Sequence, residues 1–224
     1  RVARAKNLGS LTPKITQFSE NFYKYEYVEG ELYANRASLF NFEDFLSWSR
    51  DSLWKTKTKN IDHLCEKFYF DKTVKRLNKY FSDTNTDDAP SNINGKDIPA
   101  VFDMLSGVDK DWLCSAEPGQ FHGDFILDNI IKTKESFCLI DWRQNFAGDL
   151  EVGDIYYDLA KLNHNLILNH ENIKNNCFIV EDSSEKIICD IMVNFKLIEC
   201  RDVFNKFLVE NNFDVKKVNV LTSI

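Results

Sequence analysis

Residues 120–142 read QFHGDFILDNIIKTKESFCLIDW, and this stretch constrains the fold more than any other. Two short apolar runs, at 129–132 and 137–141, flank a polar segment at 133–136. That pattern predicts a tight β-hairpin. A hairpin brings its two ends together, so Asn129 entering it and Asp141 leaving it converge. Asp124 lies one loop earlier. Two acids and an amide are thereby gathered at one point of an otherwise apolar stretch. The rival explanation is local, since Asp and Asn also favour ordinary turns and caps.

The surroundings read as helical. Residues 1–12 look like a helix end with Gly9 as C-cap. FYKYEYV (22–28) alternates aromatic and polar residues and predicts a strand, broken at Gly30. Residues 38–54 place Leu39, Phe42, Phe45, Leu46 and Leu53 at helical spacing, and 62–82 do so with Leu64, Phe68, Val74, Leu77 and Phe81 inward. Residues 83–97 are a polar loop with a turn at Asn94–Gly95. Further helices are expected over 98–114, 154–169 and 186–211. The expected class is α+β, mainly helical after residue 30. His164 and His170, six apart, do not share a helix face and read as surface or packing residues.

Composition limits the function. A net charge of −7 argues against a general nucleic-acid binder, which needs a basic face. No run of 18 uncharged apolar residues predicts a membrane span. None of the six cysteines forms a C-x-x-C pair, which together with the acidic balance fits a reducing, cytoplasmic setting. An amide oxygen and a carboxylate converging suit a hard cation such as Mg²⁺, which shares its remaining positions with phosphates and water. Asp124 is then placed to take a proton from a hydroxyl nucleophile. An Asp, an Asn and a second metal-binding Asp are the parts of a phosphoryl-transfer site.

HGD at 122–124 followed by four residues and Asn129, then LIDW at 139–142, then GDIYYDLAKL at 153–162, resembles the aminoglycoside phosphotransferase and choline kinase-like superfamily. The flavour resembles that of bacterial sugar or capsule-associated phosphotransferases. The resemblance implies a protein-kinase-like fold: a remnant of the N-lobe sheet with the hinge at 1–30, and a helical C-lobe at 31–224 carrying the hairpin. It implies Asp124 as catalytic base, Asn129 and Asp141 as Mg²⁺ ligands, and His122 as a brace of the loop. Asp154 and Asp158 match acids that pin that loop from the following helix. Glu26, Tyr27 and Val28 fall where hinge backbone would meet adenine, with Phe22 and Tyr25 more often core than adenine shelf. Arg143 meets an anionic substrate or phosphate, or else pairs with Asp149 or Glu151. The implied reaction moves the γ-phosphate of ATP (or GTP) to a hydroxyl of a small molecule such as a sugar, aminosugar or amino alcohol. Asp128, Asp149 and Glu151 would favour a cationic acceptor.

The chain departs from that family upstream of the hinge, where no strand lysine or glycine-bearing loop precedes it. Gly123, where protein kinases carry Arg, argues against a protein kinase. The expectation is therefore a piece truncated at both ends that binds nucleotide weakly and turns over poorly. The alternative is a non-catalytic, pseudo-kinase-like binding or scaffold module.

Overall fold

A computed structural model describes residues 1–183 and 186–224. In chain order, helix α1 (Val2–Leu8) precedes a hairpin of β1 (Ile15–Phe18) and β2 (Tyr23–Tyr25). Strand β3 (Glu31–Leu32) leads into α2 (Tyr33–Arg36) and α3 (Leu39–Trp48). Next come α4 (Asp62–Glu66) and α5 (Lys72–Thr84), a hairpin of β4 (Ser91–Ile93) and β5 (Lys96–Ile98), and α6 (Val101–Ser106) and α7 (Lys110–Cys114). The centre of the chain holds β6 (Pro118–Gly119), β7 (Ile130–Lys132), β8 (Phe137–Leu139) and β9 (Gly153–Asp154). It closes with α8 (Ile155–Ile167), α9 (His170–Lys174), β10 (Phe178–Asp182), β11 (Ile187–Ile191), α10 (Phe195–Glu210) and α11 (Val215–Ser223). The class is α+β.

The expected hairpin is present. β7 and β8 pair antiparallel with Ile130 opposite Leu139 and Lys132 opposite Phe137, and β3 adds to the β7 edge. Gly30 is required for that addition, because a Cβ there would lie 2.5 Å from the Lys132 carbonyl oxygen.

Two aromatic-rich cores hold the helices together. One gathers Tyr33, Phe42, Phe45, Trp54, Phe125, Leu139 and Trp142 against α8 and α10. The other gathers Phe68, Tyr69, Phe121, Phe146 and Val152 against Ala160 and Leu221. Each buried Phe contributes about 1.5–3 kcal/mol by leaving water. Ala5 and Leu8 of α1 share the first core with Tyr33 and Leu139, so residues on both sides of position 30 build one interior.

Several expected elements differ. The 186–211 helix begins only at Phe195, because Ile187–Ile191 runs as β11 between β10 and β4. The Asn94 side chain extends that ladder, donating to the Cys189 carbonyl (2.6 Å) and accepting from the Cys189 N–H (2.8 Å). Asn94 and Gly95 both take positive φ (52° and 78°), as a two-residue hairpin turn demands. The 98–114 helix is two short ones parted at Gly107, since β5 takes residues 96–98 and Asp109 starts α7 by accepting from the Trp112 N–H. The 62–82 helix is interrupted by a wider π turn, Lys67–Asp71, which shifts its register. Phe68 is buried, whereas Val74, Leu77 and Phe81 are only half-buried. Leu39, expected inward, is 44% exposed at the first turn of α3. The 22–28 strand shrinks to Tyr23–Tyr25. Of its aromatics Tyr23 packs against the first core, whereas Phe22, Tyr25 and Tyr27 are 79%, 39% and 89% exposed.

Candidate functional site

The loop between β6 and β7 threads between the two cores. Phe121 is buried in one and Phe125 in the other, both at 0% exposure. His122, Gly123 and Asp124 lie between these anchors. The apolar residues of the opening stretch therefore fix both ends of a short polar segment.

Three groups hold that segment and the chain leading into it from behind, Asp158 on the segment itself, Arg4 on Phe121 and Asp154 on Glu117. Asp158, fully buried on α8, accepts the His122 N–H and the Trp54 indole N–H at one carboxylate oxygen (2.6 and 3.2 Å) and the Gly123 N–H at the other (2.6 Å). Burial pushes its carboxyl up to about 6 against those hydrogen bonds. Asp154 caps α8 by accepting the Tyr156 N–H, and also accepts the Glu117 N–H and the Tyr69 hydroxyl. Burial likewise raises it to about 6, opposed by the nearby Lys217. Arg4, 0% exposed on α1, donates to the carbonyls of Phe121 and Leu150 and stacks 4.0 Å over the Phe121 ring. Burial lowers its guanidinium to about 10, so it remains charged at neutral pH.

His122 bridges the loop to the hairpin. Its Nδ1 accepts the Asp124 N–H (3.2 Å), so Nε2 carries the proton and donates to the Ile140 carbonyl (2.8 Å). Burial drives its pKa down to about 4, which keeps the ring neutral. Gly123 has φ 89°, and a Cβ on it would sit 2.5 Å from the Arg143 Cβ, so this position excludes an Arg.

On the open side Asp124 and Asp141 line one cleft of about 390 Å³, together with Arg1, Arg76, Arg143, Tyr157 and Lys161. Asp124 accepts from Lys161 Nζ at Oδ1 (2.9 Å) and from Asn129 Nδ2 at Oδ2 (3.2 Å). The Asn129 amide nitrogen also donates to the Asp124 carbonyl (2.9 Å). Its Oδ1 accepts no protein hydrogen bond among the described residues. Asp141, at φ 55°, pairs with Arg1. Trp142 behind it is buried and donates its indole N–H to the Arg1 carbonyl (3.0 Å). Asp141 and the Asn129 amide are oxygen donors of the kind a hard divalent cation takes, but Asn129 is buried and does not line the cleft with Asp141. No group of three or more His, Cys, Asp or Glu gathers as a closed metal site among the described residues.

The expected hinge, residues 26–28, lies outside any strand, between the separate β1–β2 hairpin and β3. Glu26 donates its N–H to the Lys14 carbonyl (2.9 Å) and pairs with the Lys14 side chain, Tyr27 faces solvent and Val28 is half-buried just before β3. Arg143 pairs with neither Asp149 nor Glu151. Its guanidinium lies over Phe68 (4.7 Å) and Tyr157 (6.0 Å), because Asp149 is held by Lys59 and by the Glu151 and Val152 N–H groups. The expected acidic surround is corrected too. Asp128 points into a separate cavity beside Asn165 and His170. Around the cleft the charges are positive instead. His164 is exposed on α8 and His170 at the start of α9.

Arg4, Lys161, Lys72 and Arg76 escape sequence reasoning. A signal existed in their spacing: Arg1 and Arg4 share a face of α1, Asp158 and Lys161 a face of α8, and Lys72 and Arg76 a face of α5. All six cysteines are free, and no helix is long and apolar enough to cross a membrane among the described residues. No family model matches the chain, and no curated protein matches its sequence.

Proposed function

We propose that the chain carries the phosphoryl-transfer site of a kinase-like small-molecule phosphotransferase. It would move the γ-phosphate of ATP or GTP to a hydroxyl. One observation carries this reading: Asp124 and Asp141, on either side of the hairpin, line the same cleft, with Asn129 bonded to Asp124 and the loop clamped from behind by Asp158.

Each residue then has a task. Asp124 accepts the hydroxyl proton, and its orientation is set by Lys161 on one oxygen and Asn129 on the other. Asn129 and Asp141 would hold Mg²⁺, which when bound neutralises phosphate charge. Arg1 shares Asp141 and contributes a second positive centre at the same carboxylate. Glu26, Tyr27 and Val28, which lead into β3 and so into the hairpin sheet, would offer backbone groups to the base. His122 does not react in this scheme, because both ring nitrogens are engaged and the ring stays neutral.

The test is Mg²⁺-nucleotide binding by calorimetry together with nucleotide turnover. Asp141→Ala should abolish the Mg²⁺-dependent part of binding. Asp124→Ala should leave binding intact and lower turnover by about 10²–10⁴-fold. Wild-type turnover in Asp124→Ala would refute the assignment of the base. Binding without turnover in the parent would favour the non-catalytic module instead.

A further inference from the structure

The proposed mechanism leaves unused all but Lys161 of the cations along the outer wall of the cleft. Lys72 and Arg76 lie one turn apart on α5, and Tyr157 and Lys161 one turn apart on α8. Arg143 follows Asp141 by two residues. Arg76, Tyr157 and Lys161 line both the cleft of Asp124 and Asp141 and an adjoining cavity of about 270 Å³ that Lys72 also lines. Lys72, Arg76 and Lys161 thus line the smaller hollow, and Arg76, Lys161 and Arg143 line the adjoining cleft that holds Asp124. The size of the smaller hollow suits a small ligand.

The charge of this cluster is largely uncancelled. Among the described residues only Lys161 has a carboxylate within 4 Å, and that partner is Asp124. Among the described residues, Asp124 and Asp141 are the only acidic side chains lining either hollow. Lys72 and Arg143 instead lie over the Phe68 ring, at 3.9 and 4.7 Å. An aromatic face holds a cation in place without neutralising it and leaves its N–H donors free. Burial, then Arg143, Arg76 and Lys161, push the Lys72 ammonium down to about 8, so these positive centres are close enough to oppose one another. Packing does not require the arrangement, since Arg76 is exposed. An anion among them would relieve the repulsion and meet charge-assisted donors from two helices and the segment after the hairpin.

We propose that the acceptor is an anionic alcohol, a hydroxy compound carrying a phosphate that Lys72, Arg76, Arg143 and Lys161 bind while its hydroxyl faces Asp124. The word acceptor rests on the phosphoryl-transfer reading, whereas the anion site rests on the cluster alone. In the step itself the acceptor oxygen bonds to the γ-phosphorus as the bond from that phosphorus to the β,γ-bridging oxygen breaks. The hydroxyl proton passes to Asp124, and the nucleoside diphosphate leaves with the electron pair.

Calorimetric titration of the chain with inorganic phosphate tests the site. A repeat with a saturating Mg²⁺ complex of a non-hydrolysable ATP analogue tells acceptor phosphate from nucleotide phosphate. Glycerol 3-phosphate and choline serve as anionic and cationic alcohols. Phosphate should bind with and without the analogue, and glycerol 3-phosphate should compete with it. Arg76→Glu and Lys72→Gln should each weaken phosphate by at least about tenfold, with a melting temperature within about 2 °C of the parent. The proposal is overturned if phosphate does not bind, if the analogue displaces it, if both variants bind it as the parent does, or if choline binds more tightly than glycerol 3-phosphate. Loss of Mg²⁺-nucleotide binding would sink the phosphoryl-transfer reading but leaves the phosphate titration intact, so the two failures are told apart.

Discussion

Asp154 and Asp158 behave differently from Asp124 and Asp141, although all four lie in one third of the chain. The first pair is fully buried, and their oxygens accept N–H or O–H groups of the protein. The second pair keeps 42% and 63% of its side-chain surface exposed and touches counterions on flexible side chains. A carboxylate saturated by backbone donors cannot take a substrate proton without releasing the loop it holds. A carboxylate in an open cleft can exchange its partners at little cost. Identical chemistry therefore divides into scaffold groups and open, exchangeable groups through solvent access and the kind of donor supplied.

The strongest way to break that contrast is to remove one acid of each kind. Asp158→Ala strands the His122 and Gly123 N–H groups in a dry interior and should cost about 3–5 kcal/mol in urea unfolding. Asp124→Ala should cost about 1 kcal/mol or less. Equal losses would erase the distinction.

Next in size is a pH effect at His122. Its folded pKa lies near 4 and its ordinary value is 6.5. The stability it contributes is present above 6.5 and is lost as pH falls towards 4, on the order of 3 kcal/mol over that window. Asp154 and Asp158 are raised from 3.8 to about 6, so their contribution is full below 3.8 and is lost as pH rises through 6. The two trends oppose each other between about 4 and 6. His122→Gln removes one of them, so the variant's stability should fall with rising pH more steeply than the parent's. Parallel curves from urea midpoints measured at several pH values would show that His122 is not held neutral.

Gly123→Ala should come third, at about 1–3 kcal/mol. It pairs positive φ with a close approach to Arg143, so it should also weaken phosphate binding. A melt and a titration indistinguishable from the parent would contradict the tight loop. Arg1→Ala sharpens the other side of the contrast. Its ion pair with Asp141 is exposed, so stability should change by about 0–1 kcal/mol. A larger loss in the same urea assay would move Asp141 into the scaffold group.

Much of the site was legible in the chain. The hairpin follows from two apolar runs and a polar turn, and its ends carry Asn129 and Asp141 as expected. The helix of Asp154 and Asp158 was legible through the spacing in GDIYYDLAKL. The β10–β11 hairpin was not, because Ile187–Ile191 is apolar enough to suit a helix, and its strand state depends on pairing with β10 along its length and with Ile93 at Ile187. The cationic wall was not legible either. Lys72 and Arg76 look like the solvent face of any amphipathic helix until α8 is packed beside them.

The sequence by itself determined where the polar residues fall relative to their apolar anchors, because that information lies between neighbours in the chain. Phe121 and Phe125 bracket His122, Gly123 and Asp124 in any fold that buries both rings. Only the tertiary structure decided which aspartates lose water and what charge surrounds the ones that keep it. Those properties come from groups distant in the chain, such as Arg1 on Asp141 and Trp54 on Asp158, 140 and 104 residues away. Burial and charge are sums over everything nearby in space, and proximity in space is what the fold supplies.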